Sequence, residues 1–329
     1  MKAVVYRKYG PPDVLRVEDV DKPVPKDNEL LIRVHAAEVT KADCELRSFR
    51  FPVKWFWLPL RLALGPFRPR KTILGGYFAG QIEAVGKDVT RFSAGDQVFG
   101  VCGIRFGAYG EYVCLPDSCT IVTKPANMSF DEAAAVPLGG LNALHFMRRA
   151  KIRRGERVLI NGAGGSIGIF AVQIAKSMGA EVTAVDSAIK RDMLNRIGAD
   201  HFFDYADGHF SQDGNGYDVI FDMVARKSYG RCIAALNPGG RYLIGNPRLS
   251  DMVRALLTSR FSDKTVIFQF AGETEEELLA LKQMITDGRL TSTVDRTYLM
   301  AQAAEAHRRV EREERLGTIV MSMFAEPGG

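Results

Sequence analysis

The chain has 329 residues, 46% of them hydrophobic and 25% charged, a composition ordinary for a globular enzyme and a length that calls for two domains, each with its own core. The formal charge of +5 is mild and is not gathered into a stripe, which argues against nucleic acid as a partner. Five cysteines, Cys44, Cys102, Cys114, Cys119 and Cys232, form no C-x-x-C pair, so reduced thiols and a cytoplasmic location are expected; no signal peptide is visible at the start, and no apolar run is long enough to span a bilayer.

Short strand-like runs come first, at 3–6, 15–17 and 29–37, separated by Pro-Pro, Lys-Pro and Lys-Asp-Asn punctuation, and more follow at 80–85, 97–100 and 111–115. Regular turn signals at this spacing predict a β-rich subdomain. His35 alternates with Ile32 and Val34 on one run and reads as a packed or surface histidine, because no second His or Cys stands at metal spacing. Residues 49–64 hold both tryptophans, and from Arg47 to Lys71 every charge is positive. Two readings stay open for this segment: a cap packed over a substrate cleft, or a peripheral contact with a membrane surface. Pro52, Pro59 and Pro66 exclude one long amphipathic helix.

From Ser129 the pattern turns helical, and Ser129 with Glu132 makes a capping box. His145, inside the following helix, reads as structural. Strands and helices then alternate: a strand at 158–160, a glycine turn, a strand at 182–185, a helix through Met193 and Ile197 ended by Gly198, a short run at 201–203, a strand at 218–222, a helix about 231–236 and a strand at 240–245. This order predicts an α/β fold with a doubly wound parallel sheet. A strand at 265–270, a helix at 275–287 and a last strand at 317–321 complete the chain.

The glycine turn reads Asn161-Gly162-Ala163-Gly164-Gly165-Ser166-Ile167-Gly168 and joins an apolar strand to a helix-period run. Free N–H groups at the positive end of a helix make a diphosphate seat. Gly162 permits the tight turn, Gly164 and Gly165 let backbone approach a pyrophosphate, and Gly168 lets the helix pack closely. The next strand ends in Asp186, where an acid that binds a dinucleotide's adenosine ribose belongs; the bland alternative is an acid at a helix start.

Several motifs in order carry a resemblance over nearly the whole chain: Met-Lys-Ala-Val-Val-Tyr at the start, Tyr9-Gly10-Pro11-Pro12-Asp13-Val14-Leu15, residues 79–86, Ala94-Gly95-Asp96-Gln97-Val98-Phe99-Gly100 and Ala133-Ala134-Ala135-Val136-Pro137. They resemble the medium-chain dehydrogenase/reductase superfamily, and residues 161–168 with Gly198-Ala199-Asp200 resemble its zinc-independent quinone oxidoreductase branch. The resemblance implies a GroES-like β-rich catalytic domain from residues 1–123 and 264–329, a Rossmann dinucleotide-binding domain from 124–263, and a homodimer. It also implies that Lys190, Arg191 and Tyr205 stand where users of NADPH hold the 2′-phosphate, against Asp186, which favours NADH; the balance leans slightly to NADH. Val224, Gly245 and Asn246 complete the expected cofactor-binding set.

Zinc-using relatives place a Cys ligand where this chain has Thr40 and a Gly-His-Glu sequence where it has Gly75-Gly76-Tyr77, while Asp43 keeps its family identity. No zinc is therefore expected, since an open catalytic site needs three protein ligands. Without a Lewis acid, a quinone or an α,β-unsaturated carbonyl is the expected hydride acceptor. Thr40, Asp43 and Tyr77, with Tyr109, are the candidate catalytic groups; Asp43 has the alternative of orienting loop backbone, and solvent is left as a proton source. Two other readings stay open: a low-turnover dinucleotide-binding protein associated with a membrane or partner through residues 49–64, and an alcohol or aldehyde oxidoreductase.

Overall fold

A computed structural model describes residues 1–51, 57–208, 210, 216–224, 229–268 and 272–324. In chain order the elements are β1 (Lys2–Tyr6), β2 (Leu15–Asp19), β3 (Glu29–Val39), α1 (Lys41–Ser48), α2 (Trp57–Leu64), β4 (Tyr77–Val85), β5 (Gln97–Val101), β6 (Tyr112–Pro116), β7 (Ile121–Thr123), α3 (Phe130–Ala134) and α4 (Pro137–Ala150). There follow β8 (Arg157–Asn161), α5 (Ser166–Ser177), β9 (Glu181–Asp186), α6 (Arg191–Arg196), β10 (His201–Asp204), β11 (Tyr217–Asp222), α7 (Tyr229–Ala234), β12 (Leu236–Ile244), α8 (Leu249–Phe261) and β13 (Thr265–Ile267). The chain then adds α9 (Glu275–Thr286), β14 (Val294–Leu299), α10 (Ala303–Glu311) and β15 (Thr318–Ser322).

These elements form two compact units, one from Met1–Phe51, Trp57–Leu138 and the chain from Glu273 on, the other including Gly139–Gly272. In the first, β14, β15, β3, β4, β5 and β7 lie side by side, with β6 also on β3 and with β1 and β2 as a separate antiparallel pair. Long, mostly buried β3 is its spine, and Leu30, Ile32, Val34, Ile82 and Ile319 share one core. Each such side chain contributes roughly 1.5–3 kcal/mol by leaving water. In the second unit six parallel strands run β10-β9-β8-β11-β12-β13, the doubly wound order expected from the alternating pattern.

The unit boundaries differ from the expected 123/124 and 263/264. Residues 265–267 pair with β12 and so belong to the parallel sheet, while α3 packs on β3 and β4 and α9 on β7. Gln269 and Phe270 of the expected strand lie outside the described residues. The helix expected about 231–236 ends at Ala234, because Leu236 already pairs with Tyr217.

Helix α1 is pinned to α10 by Arg47, which is fully buried. Its Nε donates to the Gly10 carbonyl at 3.1 Å, Nη1 lies 3.3 Å from His307 Nδ1, and Nη2 pairs with the Glu311 carboxylate. Cys44 Sγ approaches the same His307 Nδ1 at 3.3 Å. Burial, then the Arg47 charge, pushes the His307 pKa down to about 3, which keeps its ring neutral. His35 stacks on Phe130 with centroids 4.1 Å apart, and Ser129 with Glu132 forms the expected capping box.

Candidate functional site

In the second unit the glycine turn connects β8 to α5, whose residues are nearly all buried. Gly162 has φ +85°, and Gly168 sits so close that a Cβ there would come within 2.3 Å of the Gly162 carbonyl oxygen. The first turn of α5 is thus laid directly on the glycine turn. Gly165 is the N-cap of α5, and among the described residues a Cβ there would meet only the Gly162 oxygen, at 3.4 Å, which leaves its outer side open. The first N–H groups of α5 have no intrahelical acceptor. Ser166 Oγ is buried and has no hydrogen-bond partner among the described residues. Open space, unpaired donors and an orphaned hydroxyl at a helix N-terminus fit a dinucleotide's diphosphate.

The other expected cofactor residues gather at the same end of the sheet, around a carboxylate that the sequence did not single out. Asp222, at the end of β11, accepts from Asn161 Nδ2 at 2.8 Å, the Val224 amide at 3.0 Å and the Tyr242 hydroxyl at 2.9 Å. The Gly245 amide donates to the Asp222 carbonyl at 2.9 Å, and Asn246 Nδ2 donates to the Met223 carbonyl at 2.9 Å. A Cβ on Gly245 would lie 2.5 Å from Met223 Sδ. The strand ends are therefore knitted together in the position where such folds bind nucleotides.

Asp186 is committed to its own protein. It is buried, and its oxygens accept from the Gly164 amide at 2.8 Å, the Ser187 amide at 2.8 Å and Lys190 Nζ at 2.9 Å. Lys190 is buried as well, so neither the carboxylate expected to face a ribose nor the ammonium expected to meet a phosphate stands free. A Cβ on Gly164 would strike Lys190 Cδ at 2.3 Å, which gives that glycine a packing reason. Tyr205, 46% exposed, follows β10, and Arg191 is exposed with its guanidinium over Phe202.

In the first unit Thr40 is the N-cap of α1 and shares a capping box with Asp43. Asp43 Oδ2 accepts from the Thr40 amide at 3.0 Å and its hydroxyl at 2.6 Å, and Oδ1 accepts from the Gly75 amide at 3.1 Å. Tyr109 is fully buried, and its hydroxyl has no hydrogen-bond partner among the described residues. Burial pushes the Asp43 carboxyl up, opposed by these hydrogen bonds. Asp43 thus ties the start of α1 to the loop before β4.

Tyr77 is turned elsewhere. Its hydroxyl donates to Glu273 Oε1 at 2.7 Å. Burial and the adjacent carboxylate hold the Tyr77 pKa well above its ordinary value, and burial raises that of Glu273. Glu273 has φ 47°, an uncommon backbone state for a side chain of its size, and its carbonyl accepts from Thr120 Oγ1 at 2.6 Å. No spacing in the sequence joins Tyr77 to Glu273.

Zinc does not fit these groups. Thr40 is engaged as a cap, Gly76 offers no donor and Tyr77 is bonded to Glu273. Among the described residues no three His, Cys, Asp or Glu side chains converge as metal ligands.

Residues 26–126 match the family described as "Alcohol dehydrogenase GroES-like domain", and residues 197–321 the family described as "Zinc-binding dehydrogenase". The quinone oxidoreductase of Sus scrofa is 31% identical over 320 residues, covering 93% of each chain. This chain belongs to the quinone oxidoreductase-like branch of the medium-chain dehydrogenase/reductase superfamily. The structure of the quinone oxidoreductase from Coxiella burnetii matches it with a TM-score of 0.87 at 27% identity, over 98% of this chain and 99% of that one. The 2-methylene-furan-3-one reductase of Solanum lycopersicum is 30% identical over 254 residues, 74% of this chain and 62% of that protein. As a medium-chain dehydrogenase/reductase the chain is an oxidoreductase of the NAD(P)H-binding kind. Among the described residues no helix is long and apolar enough to cross a membrane.

Proposed function

We propose that this chain is a zinc-independent reductase that uses NAD(P)H to reduce quinones or α,β-unsaturated carbonyls. The observation that carries this reading is the replacement of a ligand set by Thr40, spent as a helix cap, Gly76, and Tyr77, bonded to Glu273. Oxidising a plain alcohol at neutral pH leans on a metal that polarises oxygen, whereas a conjugated acceptor spreads the arriving charge over its own π-system. The names of the pig, Coxiella and tomato relatives agree with such acceptors.

Residues 162–168 seat the diphosphate, and Asn161, Val224, Gly245 and Asn246, ordered by Asp222, form the adjoining wall. A bound reduced nicotinamide supplies the hydride. Tyr77 and Glu273 handle the proton: the hydrogen bond between them reverses during the step, the Glu273 carboxyl, which burial keeps protonated to a higher pH than usual, donating to the tyrosine oxygen as the tyrosine hydroxyl gives its own proton to the substrate oxygen. Thr40 and Asp43 position the loop before Tyr77. NADH and NADPH serve at similar efficiency, because Asp186 is neutralised by Lys190 and repels a 2′-phosphate only weakly.

A homodimer of the second unit is part of this reading. Among the described residues β13 ends the sheet, and α8, packed on β13, turns Leu249, Val253, Leu256, Leu257 and Phe261 outward at 53% to 78% exposure. An open sheet edge beside an apolar stripe suits a second copy of the chain.

The test is a panel of quinones, enones and simple alcohols, assayed with both dinucleotides before and after exhaustive chelation. Turnover of the conjugated acceptors, unchanged by chelation, is expected. Alcohol oxidation that disappears with removal of zinc would reverse the assignment.

A further inference from the structure

Helix α2 contains no buried residue, although six of its eight are Trp, Leu or Ala. It runs through Pro59, tolerated because the first turn has no intrahelical acceptor for that amide. One side is anchored. Arg61 stacks over Tyr9 at 4.1 Å and Phe49 at 4.4 Å and donates to the Pro66 carbonyl at 2.8 Å, Trp57 packs edge-on against Phe49, and the Tyr9 hydroxyl donates to the Gly65 carbonyl at 3.0 Å. The adjoining face, one helical turn apart at Leu58 and Leu62, is 60% and 57% exposed, and Phe67 just beyond is 91% exposed. Arg50, Arg68, Arg70 and Lys71 are exposed in the same stretch, and no Asp or Glu occurs between Glu45 and Glu83.

We infer that this face of the first unit docks on an anionic lipid bilayer, with Leu58, Leu62 and Phe67 entering the headgroup boundary and Arg68, Arg70 and Lys71 meeting lipid phosphates. Charge decides the occupant. A segment with apolar side chains outward and, between Glu45 and Glu83 of the sequence, only cations is complementary to a negative surface, and a helix pinned on one side pays little ordering entropy when the other side docks. A protein partner of mixed charge would have been matched by some acidic residue here. Residues 52–56, which include Trp55, lie outside the described residues and take no part in the argument.

The experiment is co-sedimentation of the full chain with vesicles of phosphatidylcholine alone or with about one third phosphatidylglycerol, at low and high salt. Binding to the anionic vesicles at least roughly tenfold tighter than to the neutral ones, weakened by salt, is expected. Leu58→Glu with Leu62→Glu, and separately Arg68→Glu with Lys71→Glu, should each remove most of that binding while melting as the parent does and reducing a water-soluble quinone at the parent rate. Failure of the parent to bind anionic vesicles, or binding undiminished in both variants, overturns the inference. So does a Leu58/Leu62 variant that keeps vesicle binding and loses quinone turnover, because the segment would then be a substrate cap. The vesicle readout contains no cofactor or substrate, so its outcome is independent of the proposed reaction.

Discussion

Lys190 and Asp186 are both buried and meet at 2.9 Å, while the same carboxylate accepts the amide of Gly164 in the glycine turn. The pair is therefore a brace under the glycine turn. Asp186→Asn leaves the Lys190 ammonium buried without its counter-charge and should cost about 3–5 kcal/mol of stability. Lys190→Met should cost less, because Asp186 retains two amide donors. Calorimetric Tm and the KM for each dinucleotide decide the point: a ribose ligand would raise the NADH KM at unchanged Tm, whereas a brace lowers Tm first. In the parent, kcat/KM for NADH and NADPH should agree within about tenfold, the span that one screened charge can impose.

Gly165 and Gly168 should fail in different ways. Gly165→Val places its branched side chain in the open space at the start of α5, so the protein should fold and lose dinucleotide binding. Gly168→Ala drives a methyl against two backbone oxygens, 2.3 Å from that of Gly162 and 2.5 Å from that of Ala163, and should lower the yield of folded protein. Isothermal titration with NADPH, set beside circular dichroism, separates the two.

The proton assignment predicts a pH profile. Burial raises the Glu273 pKa, so kcat/KM should hold at low pH and fall as pH rises through that raised value, when the carboxyl no longer returns a proton to Tyr77. Glu273→Gln should flatten this limb and lower kcat by about 10²–10⁴, and Tyr77→Phe by a similar factor. The double variant should be little worse than either single one, since the two act as a unit. A profile unchanged in Glu273→Gln would remove Glu273 from the reaction.

His307 should make the protein acid-sensitive. Its folded pKa of about 3 lies below the ordinary 6.5, so between these values the unfolded chain binds the proton and the folded one does not. Stability contributed by the neutral ring is complete above pH 6.5 and declines as pH falls toward 3, by about 1.4 kcal/mol for each pH unit crossed. Urea midpoints at several pH values check this, with His307→Gln expected to flatten the dependence.

Local patterns were readable because local physics writes them. The capping box at Ser129 and Glu132 and the glycine turn before α5 follow from spacing within a few residues, and the parallel order of the second unit from strand and helix runs that alternate along it. Side-chain direction was not readable in the same way. Asp186 stands where a ribose acid belongs, yet Lys190 four residues on captures it, and nothing in the spacing says which partner wins. Tyr77 is a candidate from its place in the motif, but its partner Glu273 is 196 residues away and is held in place by tertiary contacts. Helix α8 has no start signal in the sequence, since Arg248 is no ordinary cap, although Leu249, Val253, Leu257 and Phe261 repeat every four residues.

Val39 of β3 lies opposite Ile319 of β15, so a strand made early in synthesis waits for one made long afterwards. Every strand of the parallel sheet comes from residues between Arg157 and Ile267, and that sheet can close while the 36–39 stretch of β3 still has a bare edge. The connectivity thus lets every strand of the second unit's sheet find its partner before the first unit has β15. A chain cut ahead of Thr318 lacks β15 and leaves residues 36–39 of β3 with an unpaired edge, the kind that recruits other chains into aggregates.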